Sequence, residues 1–146
     1  MAQIDIVVGT VYGAAMLVAE TLAAQLEQAG HGCQVYEEAE LADLDASRFL
    51  LVITATTGQG DIPPNLQPLA TALADRAPYM KGWRYALVAM GDSSYEHFCG
   101  AGRHLDALLQ ELGASPLLPR LEIDATVDDE PETVALAWLN GWLNKL

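Results

Sequence analysis

The chain is poor in positive charge. Its 146 residues hold seven Lys and Arg against twenty Asp and Glu, a formal net charge of −13, and no Lys or Arg precedes Arg48. Binding nucleic acid means neutralising phosphates with cations, so this balance argues against nucleic acid and equally against an anionic membrane. A basic protein partner steered by long-range attraction suits it, as does a surface merely kept soluble by charge. Cysteine is scarce too. Cys33 and Cys99 stand far apart and outside any paired motif, which suggests neither a disulfide framework nor a zinc site. His31, His97 and His104 show no metal-ligand spacing with them, so no metal is expected. No apolar run is long enough to span a bilayer. Met1-Ala2-Gln3 lacks the basic-then-apolar start of a signal peptide, and a cytoplasmic location is expected. Repeats, linkers and low-complexity segments are also missing, so residues 1–146 are expected to form a single domain with a proper core.

What is present is organised around Gly9-Thr10-Val11-Tyr12-Gly13-Ala14-Ala15. The β-branched run Ile4-Asp5-Ile6-Val7-Val8 before it predicts a strand. After it, Ala15, Val18, Ala19, Leu22 and Leu26 fall on one face of a helix. Strand, glycine turn and helix aim free N–H groups and the positive helix end at one spot, which suits a phosphate. With no Gly-Lys-Ser/Thr, a nucleoside triphosphatase is excluded, and a single terminal phosphate fits better. Alone, the stretch equally suits an αβ turn without a ligand.

Further on, Gly30-His31-Gly32 ends the first helix and Cys33–Glu37 alternates like a strand with one face in the core. Phe49–Thr54 is a continuous apolar run, as in a central parallel strand covered on both faces. Thr54–Asn65 is dense in turn-forming residues, and a helix over about Asn65–Ala74 follows, with Pro68 tolerable only in its first turn. Tyr85–Met90 predicts the next buried strand and Gly91–Gly100 a third loop. Leu105, Leu108, Leu109 and Leu112 then mark a helix capped by Gly113. Pro116–Ile123 predicts a strand broken or edged by Pro119. The last helix, after Pro131, is expected to turn Val134, Ala137, Trp138, Gly141 and Trp142 toward the sheet. Strands and helices alternate five times, implying an α/β fold: a three-layer, doubly wound, five-stranded parallel sheet with its ligand beyond the carboxyl strand ends.

Three stretches, each after a strand, carry a resemblance to a known family. They are Thr10–Ala15, Thr56-Thr57-Gly58-Gln59-Gly60-Asp61-Ile62-Pro63, and Gly91-Asp92-Ser93-Ser94-Tyr95-Glu96-His97-Phe98-Cys99. With them the chain resembles the flavodoxins over nearly its whole length. It is most similar to short-chain bacterial flavodoxin-like proteins of the MioC kind, and also to the flavin mononucleotide (FMN) domains of diflavin reductases. The resemblance implies strand order 2-1-3-4-5, a non-covalent FMN and one-electron transfer between a reductase and a redox acceptor. The implied partner is a basic redox protein, such as a flavodoxin reductase or an electron-acceptor enzyme, and Asp61 is a rim candidate for its docking.

The same resemblance implies roles by position. Thr10, Val11, Tyr12, Gly13, Ala14 and Ala15 would wrap the FMN phosphate. Many flavodoxins carry hydroxyls where Tyr12 and Ala15 stand, so here the phosphate would lean on backbone amides. Thr56, Thr57, Gly58, Gln59 and Gly60 would border the flavin ring. The Gly58 carbonyl would turn to accept the N5 proton of the one-electron-reduced flavin, a turn that glycine permits. Relatives often place an aromatic at the position of Thr57, so stacking would fall to Tyr95. Gly91, Asp92, Ser94, Phe98 and Cys99 complete the third loop. Asp92 would either orient amides or cap its own turn, and Phe98 would pack beneath the ring. No catalytic acid–base pair or nucleophile is evident. Two other classes stay open at this point. A receiver-type signalling module would need acidic residues at the strand ends where Gly9-Thr10 and Thr54-Ala55-Thr56 stand. A small FMN-dependent quinone or flavin reductase would need substrate space over the ring and a nicotinamide site.

Overall fold

The computed structural model describes all of residues 1–146. Its strands are β1 (Gln3–Gly9), β2 (Gly32–Tyr36), β3 (Phe49–Thr54), β4 (Arg84–Gly91), β5 (Ser115–Pro116) and β6 (Leu121–Asp124). Its helices are α1 (Ala14–Gln28), α2 (Gln67–Arg76), α3 (Gly100–Glu111) and α4 (Pro131–Asn140). All strand pairs are parallel, in the order β2-β1-β3-β4-β5, with β6 also paired to β4. The order expected from the resemblance is therefore present, but two short strands fill the fifth position. Between them β4 advances from Tyr85 to Val88 while its partner advances from Pro116 to Leu121, so the partner spends two extra residues (5 − 3). Pro119 lies in that excess. It has no N–H to give the ladder, which is why the strand breaks there.

Alternation along the strands builds two cores. Ile4, Ile6 and Val8 of β1, with Leu51 and Ile53 of β3, face α1 and α4. Val7, Leu50, Val52 and Leu87 face α2 and α3. All six residues of β3 are buried, as a central strand requires. In α1, Ala15, Val18, Ala19, Leu22 and Leu26 are buried as expected. Pro68 sits in the first turn of α2. Two expectations are corrected. In α4 the buried face is Ala135 and Leu139, continued by Trp142, while Ala137 and Gly141 are exposed and Val134 and Trp138 half-buried. The helix is apolar nearly all round, so period alone does not select the inward face. In β2 no alternation appears, because this edge strand is only partly covered on either side.

Two buried carboxylates lie in these cores. Asp5, at mid-strand in β1, is 3% exposed and accepts a 2.9 Å hydrogen bond from Arg48 Nε, the first cation of the chain. Asp106 on α3 accepts from the Tyr85 hydroxyl, from Gln110 at 3.1 Å and from Arg120 at 2.8 Å. Burial pushes the Asp106 carboxyl up, but these donors together outweigh it and hold the group below its ordinary range. Arg120 and Arg103 both bind Glu122, so α3 is tied to β6 through charge.

Candidate functional site

Parallel strands put β1, β3, β4 and β6 in register, so the connections leaving their carboxyl ends meet along one edge of the sheet. A cleft of about 540 Å³ opens there, within the range of small-ligand sites. Thr10, Val11, Tyr12 and Ala14 come to it from the first loop, Thr56, Thr57 and Gly58 from the second, and Gly91, Asp92, Tyr95 and Cys99 from the third. Of the remaining expected residues, Gly13, Ala15, Gln59, Gly60, Ser94 and Phe98 do not line it. Ala15 is buried in the core beneath the loop, and Phe98 lies 5.4 Å under the Arg103 guanidinium. The Ser94 hydroxyl and amide both donate to Asp92, which thereby caps its own turn.

The first loop is a cradle of donors. Gly13 takes φ 92°, a left-handed turn in which a Cβ would meet no atom, so conformation and not space calls for glycine there. The Thr10 hydroxyl accepts from the Gly13 amide at 2.9 Å, which leaves its own O–H free to donate. The N–H groups of Val11, Tyr12, Ala14 and Ala15 find no acceptor within the protein. They lie at the start of α1, where the helix end adds partial positive charge. No Lys or Arg lines the cleft. Tyr12 and Tyr95 are 98% and 66% exposed at its rim, so two aromatic rings are presented to whatever enters.

Several contributors went unseen in the sequence. Asn65 clamps the first loop from behind: its Oδ1 accepts from Thr10 N at 2.9 Å, and its Nδ2 donates to Val8 O and Glu37 O at 2.8 and 2.7 Å. One side chain thus joins the ends of β1 and β2 to the loop, and nothing in Pro64-Asn65-Leu66 signals it. Ala55, Met90 and Ala125 line the cleft beside strand ends, and Ala125 reveals a fourth connection, after β6. His97 lines it too, from the third loop, and its Cβ lies within 2.7 Å of the position a Cβ on Gly60 would occupy. That close approach locks the second and third loops together. The Ser93 side chain first, then the Thr126 amide at 3.0 Å and the Ser93 amide at 3.1 Å, hold the Asp124 carboxyl well below the usual range and pin the third loop to β6. Cys99 is buried, with Sγ 3.4 Å from Ala89 O, and burial pushes its thiol up to about 12, so it stays protonated and unreactive.

Orphaned amides for a phosphate, exposed aromatics for a flat ring system and a sheet edge where loops converge suit FMN, and together they define a flavodoxin-type nucleotide site. The family model for flavodoxin matches residues 6–138, and the chain belongs to the flavodoxin family. It is 46% identical over 144 residues to flavodoxin YqcA of Pectobacterium carotovorum subsp. carotovorum, covering 97% of this chain and 95% of that one. It is 40% identical over 146 residues to protein MioC of Escherichia coli (strain K12), covering 100% and 99%. A cysteine-to-serine variant of flavodoxin from Pseudomonas aeruginosa superposes with a TM-score of 0.87 at 39% identity, over 96% of this chain and 95% of that one. The protein is accordingly an FMN-binding electron carrier. No helix is long and apolar enough to cross a membrane.

Proposed function

We propose that residues 1–146 work as one FMN-holding unit that passes electrons singly between a reductase and a redox acceptor and turns over no substrate of its own. The observation that carries this reading is the set of unpartnered amides at Val11, Tyr12, Ala14 and Ala15, in a cleft without a fixed cation. FMN, once bound, supplies the redox chemistry. The chain's part is to hold and orient it. Those amides, with the Thr10 hydroxyl, bind the phosphate, while Gly13 and Ala15 set the loop that presents them. Thr56 and Thr57 border the ring, Gln59 and Gly60 shape the loop behind them, Tyr95 stacks on the ring, and Phe98 supports the third loop from below. The Gly58 carbonyl is the acceptor for the N5 proton. Gly58 already takes φ 50° in a tight turn in which Thr57 N and Asp61 N bond across to Asp61 O and Thr57 O.

The partner is a basic redox protein. Glu37, Glu38, Asp61, Asp92, Glu96, Asp128 and Asp129 sit in connections that leave the carboxyl ends of strands, and the field they set up draws a positive surface toward the flavin end. The working location is the cytoplasm, in keeping with two cysteines that form no disulfide. The test is reconstitution. Apoprotein made by acid precipitation should turn yellow with FMN, with inorganic phosphate competing and riboflavin, which lacks the phosphate, binding more weakly. Failure to take up FMN overturns the reading. Rapid direct reduction by a nicotinamide nucleotide would make the protein a reductase instead.

A further inference from the structure

The opposite end of the sheet holds a second cavity, of about 450 Å³, lined by Met1, Gln3, Ser47, Arg48, Phe49 and Arg84 among others. It brings together two of the seven cations of a chain with net charge −13. Arg48 is engaged by Asp5 and by the Asp43 carbonyl at 2.9 Å. Arg84 differs. Its guanidinium lies 5.6 Å from the centroid of the Phe49 ring and makes one long bond, 3.4 Å, to the Lys145 carbonyl. Like Arg76, it forms no ion pair, whereas Arg48, Arg103 and Arg120 are all paired. An arginine backed by an aromatic ring keeps most of its planar fork of donors unused. Beside it stand the Ser47 hydroxyl and apolar surface from Met1 and Phe49.

We propose that this cavity binds a small organic carboxylate, with its head on Arg84, assisted by Ser47, and its hydrocarbon or aryl body on the apolar wall. A carboxylate matches the guanidinium fork in two parallel bonds. A bare phosphate has no hydrocarbon body to lay on the Met1 and Phe49 surface, so it is expected to bind more weakly than an aryl carboxylate. The site is separate from the FMN cleft. One is built on the amino ends of β1, β3 and β4, the other on their carboxyl ends.

The structure supplies a reporter. Trp142 lies 5.6 Å from Phe49, and its buried indole N–H has no partner. Titration of the ¹⁵N-labelled holoprotein with benzoate should shift the amide signals of Ser47, Phe49 and Arg84 and the Trp142 indole signal saturably. The flavin spectrum and the signals of Thr10–Ala15 should not move. Arg84→Ala should weaken binding about tenfold or more, since a hydrogen-bonded charge is lost, and Arg84→Lys should restore part of it. Absence of saturable shifts through millimolar benzoate overturns the proposal. So does equal affinity in R84A. Tighter binding of inorganic phosphate than of benzoate overturns the assignment to a carboxylate.

Discussion

The two ends of the sheet are made by the same strands and differ in nearly everything else. At the carboxyl end the connections run long, hold carboxylates and leave amides without partners. At the amino end lie Arg48, Arg76, Lys81, Arg84 and Lys145, and α1 and α3 pass to the next strand through turns of three residues. Strand direction makes this division possible, because every loop after a strand goes to one edge and every turn after a helix to the other. The negative end therefore lies with the FMN cleft, and attraction to a basic partner presents the flavin edge first.

The largest expected effect breaks the amino end. Arg48→Met leaves the Asp5 carboxylate buried without its partner and should lower the denaturant-unfolding midpoint more than Asn65→Ala does, with FMN affinity little changed. Replacing Asp5 with Leu in the same chain should recover most of that loss. At the carboxyl end, Asn65→Ala removes three hydrogen bonds and should cost about 1–2 kcal/mol of stability. Unlike Arg48→Met, it should also weaken FMN binding, because the amide of Thr10 loses its anchor. Equal FMN affinity in both variants would erase the distinction between the ends.

A smaller effect concerns acid. Asp106 and Glu122 are both held below their ordinary values, Glu122 chiefly by the Arg103 and Arg120 guanidiniums and against its burial. Their stabilisation is complete above the unfolded carboxyl range, about pH 4, and is lost as pH falls through the lower native values. Unfolding midpoints should be level near neutrality and fall below about pH 4, with a shallower fall in Glu122→Gln. Smaller again, Gly58→Ala places a Cβ 2.9 Å from Asp61 Oδ2 at φ 50°. That strain, about 1 kcal/mol, should shift the first one-electron potential by about 40 mV where it falls on one redox state alone, as a turning carbonyl requires. An unchanged potential would make Gly58 a loop residue only.

The sequence carried the frame of this division but not its joints. Phe49–Thr54 was legible as a buried central strand because no polar residue interrupts it before Thr54. The first three cleft loops were legible because each follows such a run. The inward face of α4 was not, since Ala135 and Leu139 sit among equally apolar neighbours. Asn65 and Ala125 were hidden for another reason: each acts across the fold, through a side chain fifty-five residues from Thr10 in one case and a fourth connection in the other. Asp5 is the acid within the apolar run of β1, and only the return of Arg48 beside it explains its burial.

The interruption at Pro119 bears on how such molecules coexist at high concentration. A sheet margin with a long ladder of idle amides and carbonyls invites another chain to zip onto it. Here that margin is cut into pieces of two and four residues, with Pro116 and Pro119 removing donors. On that side a neighbouring strand finds no continuous template, and β2, five residues long, is left as the unbroken margin.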